Sequence, residues 1–206
     1  MGNLEKRKIL FYGDSNTWGY DPADMYDNRY PEENRWTCIL KEKLGDSWEV
    51  DERGMNGRRI PDLRYDGDRI EKMASSLSEG DIFAVMLGTN DILSSMDPDA
   101  DAAVRGMQEL VRFLITKNVR PQDILVIAPV PVFGRALEVP EYRAFYEENV
   151  RMNEGFRKTA EDAGTMFADA GAWGIGLSYD QVHFSARGHR VFATKMYDFL
   201  NGGDGN

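Results

Sequence analysis

The sequence is poor in the residues that form covalent cross-links and metal centres. Cys38 is the only cysteine among the 206 residues, which excludes an internal disulfide. His183 and His189 are the only histidines, and no second histidine or cysteine pattern accompanies them to complete a set of metal ligands. We therefore expect a protein that uses neither a metal nor a cofactor. Cys38 itself lies among apolar residues at helical spacing, which predicts a core position.

Basic residues and long apolar runs are also scarce. The chain has 35 acidic and 25 basic side chains, a formal net charge of −10, which argues against nucleic acid or an anionic membrane surface as a partner. No apolar stretch is long enough to span a bilayer, and residues 1–8 lead into the first strand without the apolar segment and cleavage site of a signal peptide. These absences predict a cytoplasmic protein. They leave open whether it forms a homo-oligomer.

The chain does contain a regular alternation of strands and helices. Apolar runs predict strands, and segments with apolar residues every three or four positions follow them as helices. The alternation repeats about five times over 206 residues without a linker or an internal repeat. It predicts one domain over residues 1–206, a three-layer α/β/α fold with a five-stranded parallel sheet. Residues 202–206, rich in glycine, are expected to form a frayed tail.

Capping residues and prolines predict where the helices begin, and glycines predict where they end. The predicted helices begin at or just after Asn34, Asp97, Pro140 and Ser185, two of them end at Gly45 and Gly164, and a further modest helix covers residues 68–78.

Ser15 is the first candidate for chemistry. It follows residues 9–12, whose apolar character predicts a buried strand, and Gly13 allows the backbone to turn sharply after them. Ligands of open parallel sheets bind beyond the carboxyl ends of the strands, so we expect the Ser15 hydroxyl at the rim of an active site. This stretch alone leaves two interpretations open: a nucleophile, or the N-cap of the following helix.

Asp180 and His183 form a second candidate pair. An aspartate three residues before a histidine can hydrogen-bond one ring nitrogen and leave the other free to accept a proton from a serine, as in a catalytic triad. The pair by itself is weak evidence, because chance and metal sites also produce it. His189 lies near the start of the last predicted helix, and we expect it to be structural.

Gly57 and Asn90 are candidates for stabilising negative charge. Gly57 offers a backbone N–H in a flexible turn, and Asn90 offers a side-chain amide after a buried strand. Acyl transfer needs such donors aimed at the oxygen that becomes negative in the tetrahedral intermediate. Taken singly, each position has a simpler interpretation: a turn glycine at Gly54 and Gly57, and an Asx turn or cap at Asn90.

Aromatic side chains follow the serine turn. Residues 20–33 show no periodicity and predict a long loop over the site. We expect aromatic rings from this region and from later loops to form a narrow acyl pocket, which would admit acetyl to butyryl groups; the alternative is that they cover the core. The predicted pocket residues are Trp18, Tyr20, Phe133 and Trp173.

Four short blocks, in this order, resemble those of the SGNH (GDSL) hydrolase family. They are Gly13-Asp14-Ser15, Gly54-x-Asn56-Gly57, Gly88-x-Asn90-Asp91 and Asp180-x-x-His183. The segments around residues 13–19, 35–37, 87–91 and 167–171 are most similar to the arylesterase/acyltransferase branch of the family.

The resemblance implies a flavodoxin-like sheet and a role for each residue. Ser15 would be the nucleophile, His183 the base and Asp180 the group that orients it. The N–H groups of Ser15 and Gly57 and the Asn90 amide would form the oxyanion hole. Asp14 and Asp91 would brace the loops.

Two residues depart from the family pattern. Asn16 stands where the family usually has leucine, and Gln181 stands where a glycine often occurs. Neither is a catalytic residue, so we expect them to affect the fit of the substrate more than the chemistry.

The resulting expectation is a serine esterase that cleaves small acyl esters through an acyl-enzyme. A carbohydrate O-deacetylase and an acyltransferase are alternatives within the same class. A different class is a non-catalytic, flavodoxin-like phosphate- or nucleotide-binding protein, whose anion would lie on the turn at residues 13–17. That alternative leaves Asp180-x-x-His183 unexplained and sets Asp14 against an anionic ligand.

Overall fold

The structure, a computed structural model, describes residues 6–202. Expectations for residues 1–5 and for residues 203–206 of the predicted tail lie outside this range. Five strands form one sheet: β1 (Arg7–Gly13), β2 (Trp48–Gly54), β3 (Ile82–Met86), β4 (Ile124–Ala128) and β5 (Met166–Asp169). Their order is β2-β1-β3-β4-β5 and every neighbouring pair is parallel, which confirms the predicted flavodoxin-like sheet.

Within residues 6–202, seven α-helices accompany the strands. They are α1 (Ser15–Trp18), α2 (Trp36–Leu44), α3 (Leu63–Ala74), α4 (Thr89–Leu93), α5 (Ala100–Thr116), α6 (Pro140–Ala163) and α7 (Ala186–Leu200).

The burial of the strands follows from the helices on both faces of the sheet. Strands β3 and β4 are buried at every residue, as continuous apolar runs predict for central parallel strands. One core lies between the sheet and α3, α5 and α6, and the other between the sheet and α2 and α7. This arrangement confirms the predicted three layers. Cys38 on α2 is half-buried, which corrects its predicted core position.

Several helix boundaries differ from the prediction. The N-cap of α2 is Arg35, without a side-chain capping bond, whereas the Asn34 Oδ1 atom accepts from Arg190 on α7. Helix α5 is capped by Asp99 instead of Asp97. Helix α3 covers residues 63–74 and is capped by Asp62, so the predicted helix at 68–78 begins five residues too late. The predicted starts at Pro140 and Ser185 and the predicted ends at Gly45 and Gly164 are confirmed.

The parallel sheet gathers the chemistry-bearing loops at one edge. The segments that follow β1, β2, β3 and β5 carry Ser15, Gly57, Asn90 and His183, and all begin at the carboxyl ends of strands. Within residues 6–202, no helix is long and apolar enough to cross a membrane.

Candidate active site

The serine turn is held by its own side chains and by glycine. Asp14 is the N-cap of α1, and its Oδ1 atom accepts a hydrogen bond from the Asn16 N–H at 2.9 Å. Ser15 is the first residue of the helix, so the interpretation of Ser15 as the N-cap is wrong. A Cβ atom at Gly13 would overlap Thr17 Oγ1, so the tight return of the chain requires glycine there.

Ser15, His183 and Asp180 lie in one hydrogen-bonded line. The Ser15 Oγ atom is 3.0 Å from His183 Nε2, and His183 Nδ1 is 2.6 Å from Asp180 Oδ2. A carboxylate can only accept, so Nδ1 carries the proton in this pair and Nε2 is left to accept from the serine hydroxyl. The line joins residues that are 168 positions apart in the sequence.

The Asp180 carboxylate is fixed by the backbone of its own loop. Its Oδ1 atom accepts from the N–H groups of Val182 at 3.0 Å and His183 at 3.1 Å. Burial raises the pKa of Asp180, but the bonds from the His183 ring and the two N–H groups outweigh it, and the pKa lies below its ordinary value. Asp180 is therefore held as an anion beside the imidazole.

The two departures from the family pattern both contact the His183 loop. The Asn16 side chain bonds to the backbone on either side of His183: Nδ2 donates to Val182 O at 3.2 Å, and Oδ1 accepts from Phe184 N at 2.8 Å. Gln181 holds the outer side of the loop, because its carbonyl accepts from Phe133 N and its Oε1 from Arg135 N. Gln181 has a φ of 58°, a left-handed conformation that explains why glycine is common there.

The loops with the candidate oxyanion donors are tied to the serine turn. Arg58, which follows Gly57, donates through Nη1 to Gly13 O at 2.9 Å, and its own carbonyl accepts from Asn90 Nδ2 at 3.0 Å. Gly57 has a φ of 70°, and a Cβ atom there would meet no atom within 4 Å, so its turn faces open space. Sequence reasoning missed Arg58, whose signal was its position directly after the glycine.

Asp14, which is buried, and Asp91, which is half-buried, brace these loops with their carboxyl groups. Asp91 Oδ2 accepts from Ile60 N at 3.1 Å, which fixes the chain beyond Gly57. Burial raises the pKa of Asp14 to about 7; the bond from Asn16 N–H opposes this, and the charge of Asp91 adds to it. Burial likewise raises the pKa of Asp91 to about 6, against the Ile60 N–H and Arg59.

The predicted pocket residues separate into two groups. Trp18, Tyr20 and Phe133 are partly exposed. The Tyr20 ring lies 4.4 Å from the His183 ring between centroids, the Trp18 ring lies 6.5 Å from the Tyr20 ring, and the Phe133 ring packs on Tyr142 and Phe145. Trp173 does not belong to this group. It is 4% exposed and packs against Phe192 in the core below α7, which corrects its predicted pocket position.

Residues 20–33 fold back on themselves beside the site. Tyr20 pairs with Arg29 in an antiparallel bridge, and Tyr30 N donates to Gly19 O at 2.8 Å. The Tyr179 hydroxyl, next to Asp180 in the chain, donates to Pro22 O at 2.7 Å. The segment is thus closed at its base and tethered to the His183 loop.

His189 lies in the core and not in the line of the three groups. It is fully buried, and its Nδ1 atom accepts from Trp36 N at 3.4 Å. Burial, with the charges of His183 and Arg35, lowers its pKa to about 3 and keeps the ring neutral. Across the described part of the chain, no group of three or more His, Cys, Asp or Glu side chains is arranged to hold a metal ion.

Comparisons with known proteins show the family and the fold of the chain. Residues 11–191 match the GDSL-like Lipase/Acylhydrolase family. A carbohydrate acetylesterase from Sinorhizobium meliloti has a TM-score of 0.76 and 26% identity, over 95% of this chain and 99% of that one. The native aryl esterase of M. smegmatis has a TM-score of 0.76 and 24% identity, over 95% and 98%, and supports the fold alone. No curated protein gave a match. The match over most of the length identifies the chain as an esterase that belongs to the GDSL-like lipase/acylhydrolase family.

Proposed function

We propose that this esterase hydrolyses small acyl esters with Ser15 as nucleophile, His183 as general base and Asp180 as the group that orients the imidazole. The observation that carries the proposal is the continuous line from Ser15 Oγ to His183 Nε2, at 3.0 Å, and from His183 Nδ1 to Asp180 Oδ2, at 2.6 Å. In this proposal the substrate is a small ester in the cytoplasm, and no nucleic acid or membrane takes part.

The first half-reaction forms the acyl-enzyme. Ser15 Oγ attacks the ester carbonyl carbon while His183 Nε2 takes the hydroxyl proton, and Asp180 stabilises the imidazolium. The tetrahedral intermediate collapses as His183 returns that proton to the departing alcohol. In the second half-reaction water attacks the acyl group with His183 again as base, and Ser15 regains its proton as the acid leaves.

The oxyanion would be bound by the N–H groups of Ser15 and Gly57 and by the Asn90 amide. The bond from Asn90 Nδ2 to Arg58 O uses one of the two N–H groups of the amide and fixes its plane. The other N–H is then available for the developing negative charge. Because Arg58 also holds Gly13 O, the three donors are joined through one residue.

Small acyl groups are favoured by the crowding beside the base. The Tyr20 ring lies 4.4 Å from the His183 ring between centroids and fills space beside it. The Sinorhizobium meliloti relative is a carbohydrate acetylesterase, so removal of acetyl groups from a carbohydrate is a specific alternative within the proposal. Acyl transfer to an alcohol would use the same acyl-enzyme.

A non-catalytic anion-binding role has less support. Helix α1 has only four residues, and its N-cap is the carboxyl group of Asp14. A phosphate at this turn would bind next to a buried acidic residue, and the Ser15–His183 contact would have no role.

The nucleophile is tested by intact-mass labelling with a fluorophosphonate. A serine activated by a base attacks this reagent, so the wild-type protein should gain one adduct and Ser15→Ala none. Ser94→Ala is the matched control, since Ser94 is exposed and bonds only to Asp91 O in its own helical turn among the contacts described. Equal labelling of Ser15→Ala and the wild type would falsify the assignment.

Acyl length is tested with p-nitrophenyl esters. If the aromatic residues restrict the pocket, kcat/KM should be highest between acetyl and butyryl, because steric exclusion outweighs the roughly 0.8 kcal/mol that each buried methylene contributes. A continued rise to octanoyl would contradict the restricted pocket while leaving the nucleophile intact.

A further inference from the structure

Asn16 connects the two reacting side chains. It is adjacent to Ser15 in the chain, and its amide bonds to Val182 O and Phe184 N, the backbone groups on either side of His183. The backbone on both sides of His183 is therefore hydrogen-bonded to the turn that carries the Ser15 hydroxyl.

The amide is held in a fixed orientation. Asn16 is 6% exposed. Its backbone N–H donates to Asp14 Oδ1 at 2.9 Å, and its carbonyl accepts from Trp36 Nε1 at 2.9 Å. The backbone N–H and C=O groups of Asn16 and both polar atoms of its side chain are thus hydrogen-bonded. A shift of Asn16 would break at least one of these buried hydrogen bonds.

We propose that Asn16 is a positioning residue that sets the distance and angle between His183 Nε2 and Ser15 Oγ. This inference rests on the function proposed above. Leucine, the usual residue of the GDSL pattern at this position, has neither a donor nor an acceptor and could not make these two bonds. The expectation that Asn16 affects substrate fit more than chemistry is therefore replaced by a role in the chemistry.

The kinetic consequence is specific. A base displaced from its nucleophile slows proton transfer but does not alter contacts with the bound ester. Asn16→Leu should thus lower kcat about 10- to 100-fold and leave KM within about twofold, since displacements on the order of 1 Å cost up to that much in rate. Asn16→Asp keeps the acceptor for Phe184 N and loses the donor for Val182 O, so its kcat should fall in the same direction.

The matched control is Asn153→Leu. Asn153 is 8% exposed and donates to Pro129 O at 2.7 Å from α6, on the other face of the sheet from α7. Its replacement also removes a buried amide, which makes one side-chain hydrogen bond where Asn16 makes two, and that bond is to neither Ser15 nor the His183 loop. Well below the melting temperature, Asn153→Leu should retain the wild-type kcat.

The route through His183 is tested in a double-mutant cycle. Asn16→Leu is introduced into the wild type and into His183→Ala, and p-nitrophenyl acetate hydrolysis is measured at high enzyme concentration. If Asn16 acts by placing His183, it should not lower the residual rate of His183→Ala further. Circular dichroism identifies folded variants, and Asn16→Asp replaces Asn16→Leu in the cycle if the leucine variant is unfolded.

The outcomes separate the two proposals. Wild-type kcat in folded Asn16 variants, an equal loss in Asn153→Leu, or a full further loss in the His183→Ala background overturns the positioning role. Retention of activity by His183→Ala overturns the proposed function itself, whatever the Asn16 variants do.

Discussion

Asp14, the residue before Ser15, carries a carboxyl group that the fold buries almost completely. Burial raises its pKa from 3.8 to about 7, so the folded protein keeps a proton that the unfolded chain releases near pH 4. The contribution of Asp14 to stability is therefore fully present below about pH 4 and is lost as the pH rises to about 7. Asp91, with a pKa raised to about 6, acts in the same direction.

Asp14→Asn should remove this pH dependence. Asparagine can still accept from the Asn16 N–H but carries no charge, so the variant should gain stability over the wild type by more than about 1 kcal/mol between pH 5 and pH 8. Urea unfolding at each pH measures the difference.

Asp62→Asn is the control for this comparison. Asp62 caps α3 in the same way, because its Oδ1 atom accepts from the N–H of Arg64, two residues later, at 3.0 Å. Its carboxyl group is exposed, however, and the hydrogen bond from the Arg64 side chain lowers its pKa. It should show no such gain. Parallel pH curves for Asp14→Asn and the wild type would mean that Asp14 is charged in the folded protein.

At the scale of single residues, the sequence predicted which side chains come together in the candidate site, but not the hydrogen bonds that hold them in place. Ser15 was a candidate because of its residue type and its position after a strand, and Asp180 and His183 because of their spacing; the family resemblance then implied that the three act together, and their catalytic roles remain a prediction. Asn16 was only a departure from a pattern, because its partner Val182 lies 166 residues away. Which backbone atoms face each other over such a separation is decided by the packing of α1 against the last loop.

Among the elements, the helix boundaries were the weakest predictions. Asn34 and Asp97 are good caps by residue type, yet Arg35 and Asp99 occupy the cap positions. In both cases the helix starts where its apolar face meets the sheet, and tertiary packing outweighs the preference of one capping residue. Strands β3 and β4 leave a stronger pattern, because they are buried at every residue.

Gly54, at the end of β2, permits α1 to approach. A Cβ atom there would lie 2.6 Å from the Trp18 Cα atom, and the backbone of α1 cannot move aside as a side chain can. Gly54→Ala should therefore destabilise the protein by about 1–3 kcal/mol and lower kcat, because α1 carries Ser15.

Gly67→Ala is the same substitution at a position where we expect it to raise the stability of the protein. Gly67 lies inside α3, where a Cβ atom would make ordinary contact with Phe113 at 3.7 Å. It should stabilise the protein by about 0.5–1 kcal/mol and leave kcat unchanged. Thermal melting and ester hydrolysis of both variants test the pair; a harmless Gly54→Ala would contradict the close approach of α1.

For the whole molecule, the alternation of strands and helices predicted the layers and the parallel sheet. The alternation did not predict the strand order, because right-handed crossovers limit the possible orders without selecting one. The family resemblance implied a flavodoxin-like sheet, and the observed order is β2-β1-β3-β4-β5. The order matters for the site, since it places β1 next to β3 and so brings the loops with Ser15 and Asn90 together.

In the proposed mechanism, the separation of Ser15 and His183 in the chain makes turnover a measure of complete folding. One residue follows the first strand and the other precedes the last helix, so a folding intermediate that lacks either end of the fold should have no activity. In urea, the loss of activity and the loss of far-ultraviolet circular dichroism should share one midpoint. Activity that disappears at clearly lower urea would mean that the His183 loop detaches while the sheet remains intact. If the midpoints coincide, ester hydrolysis can be used to follow refolding. Its recovery would report the time at which the native state forms, whereas circular dichroism can recover earlier, when only the secondary structure has formed.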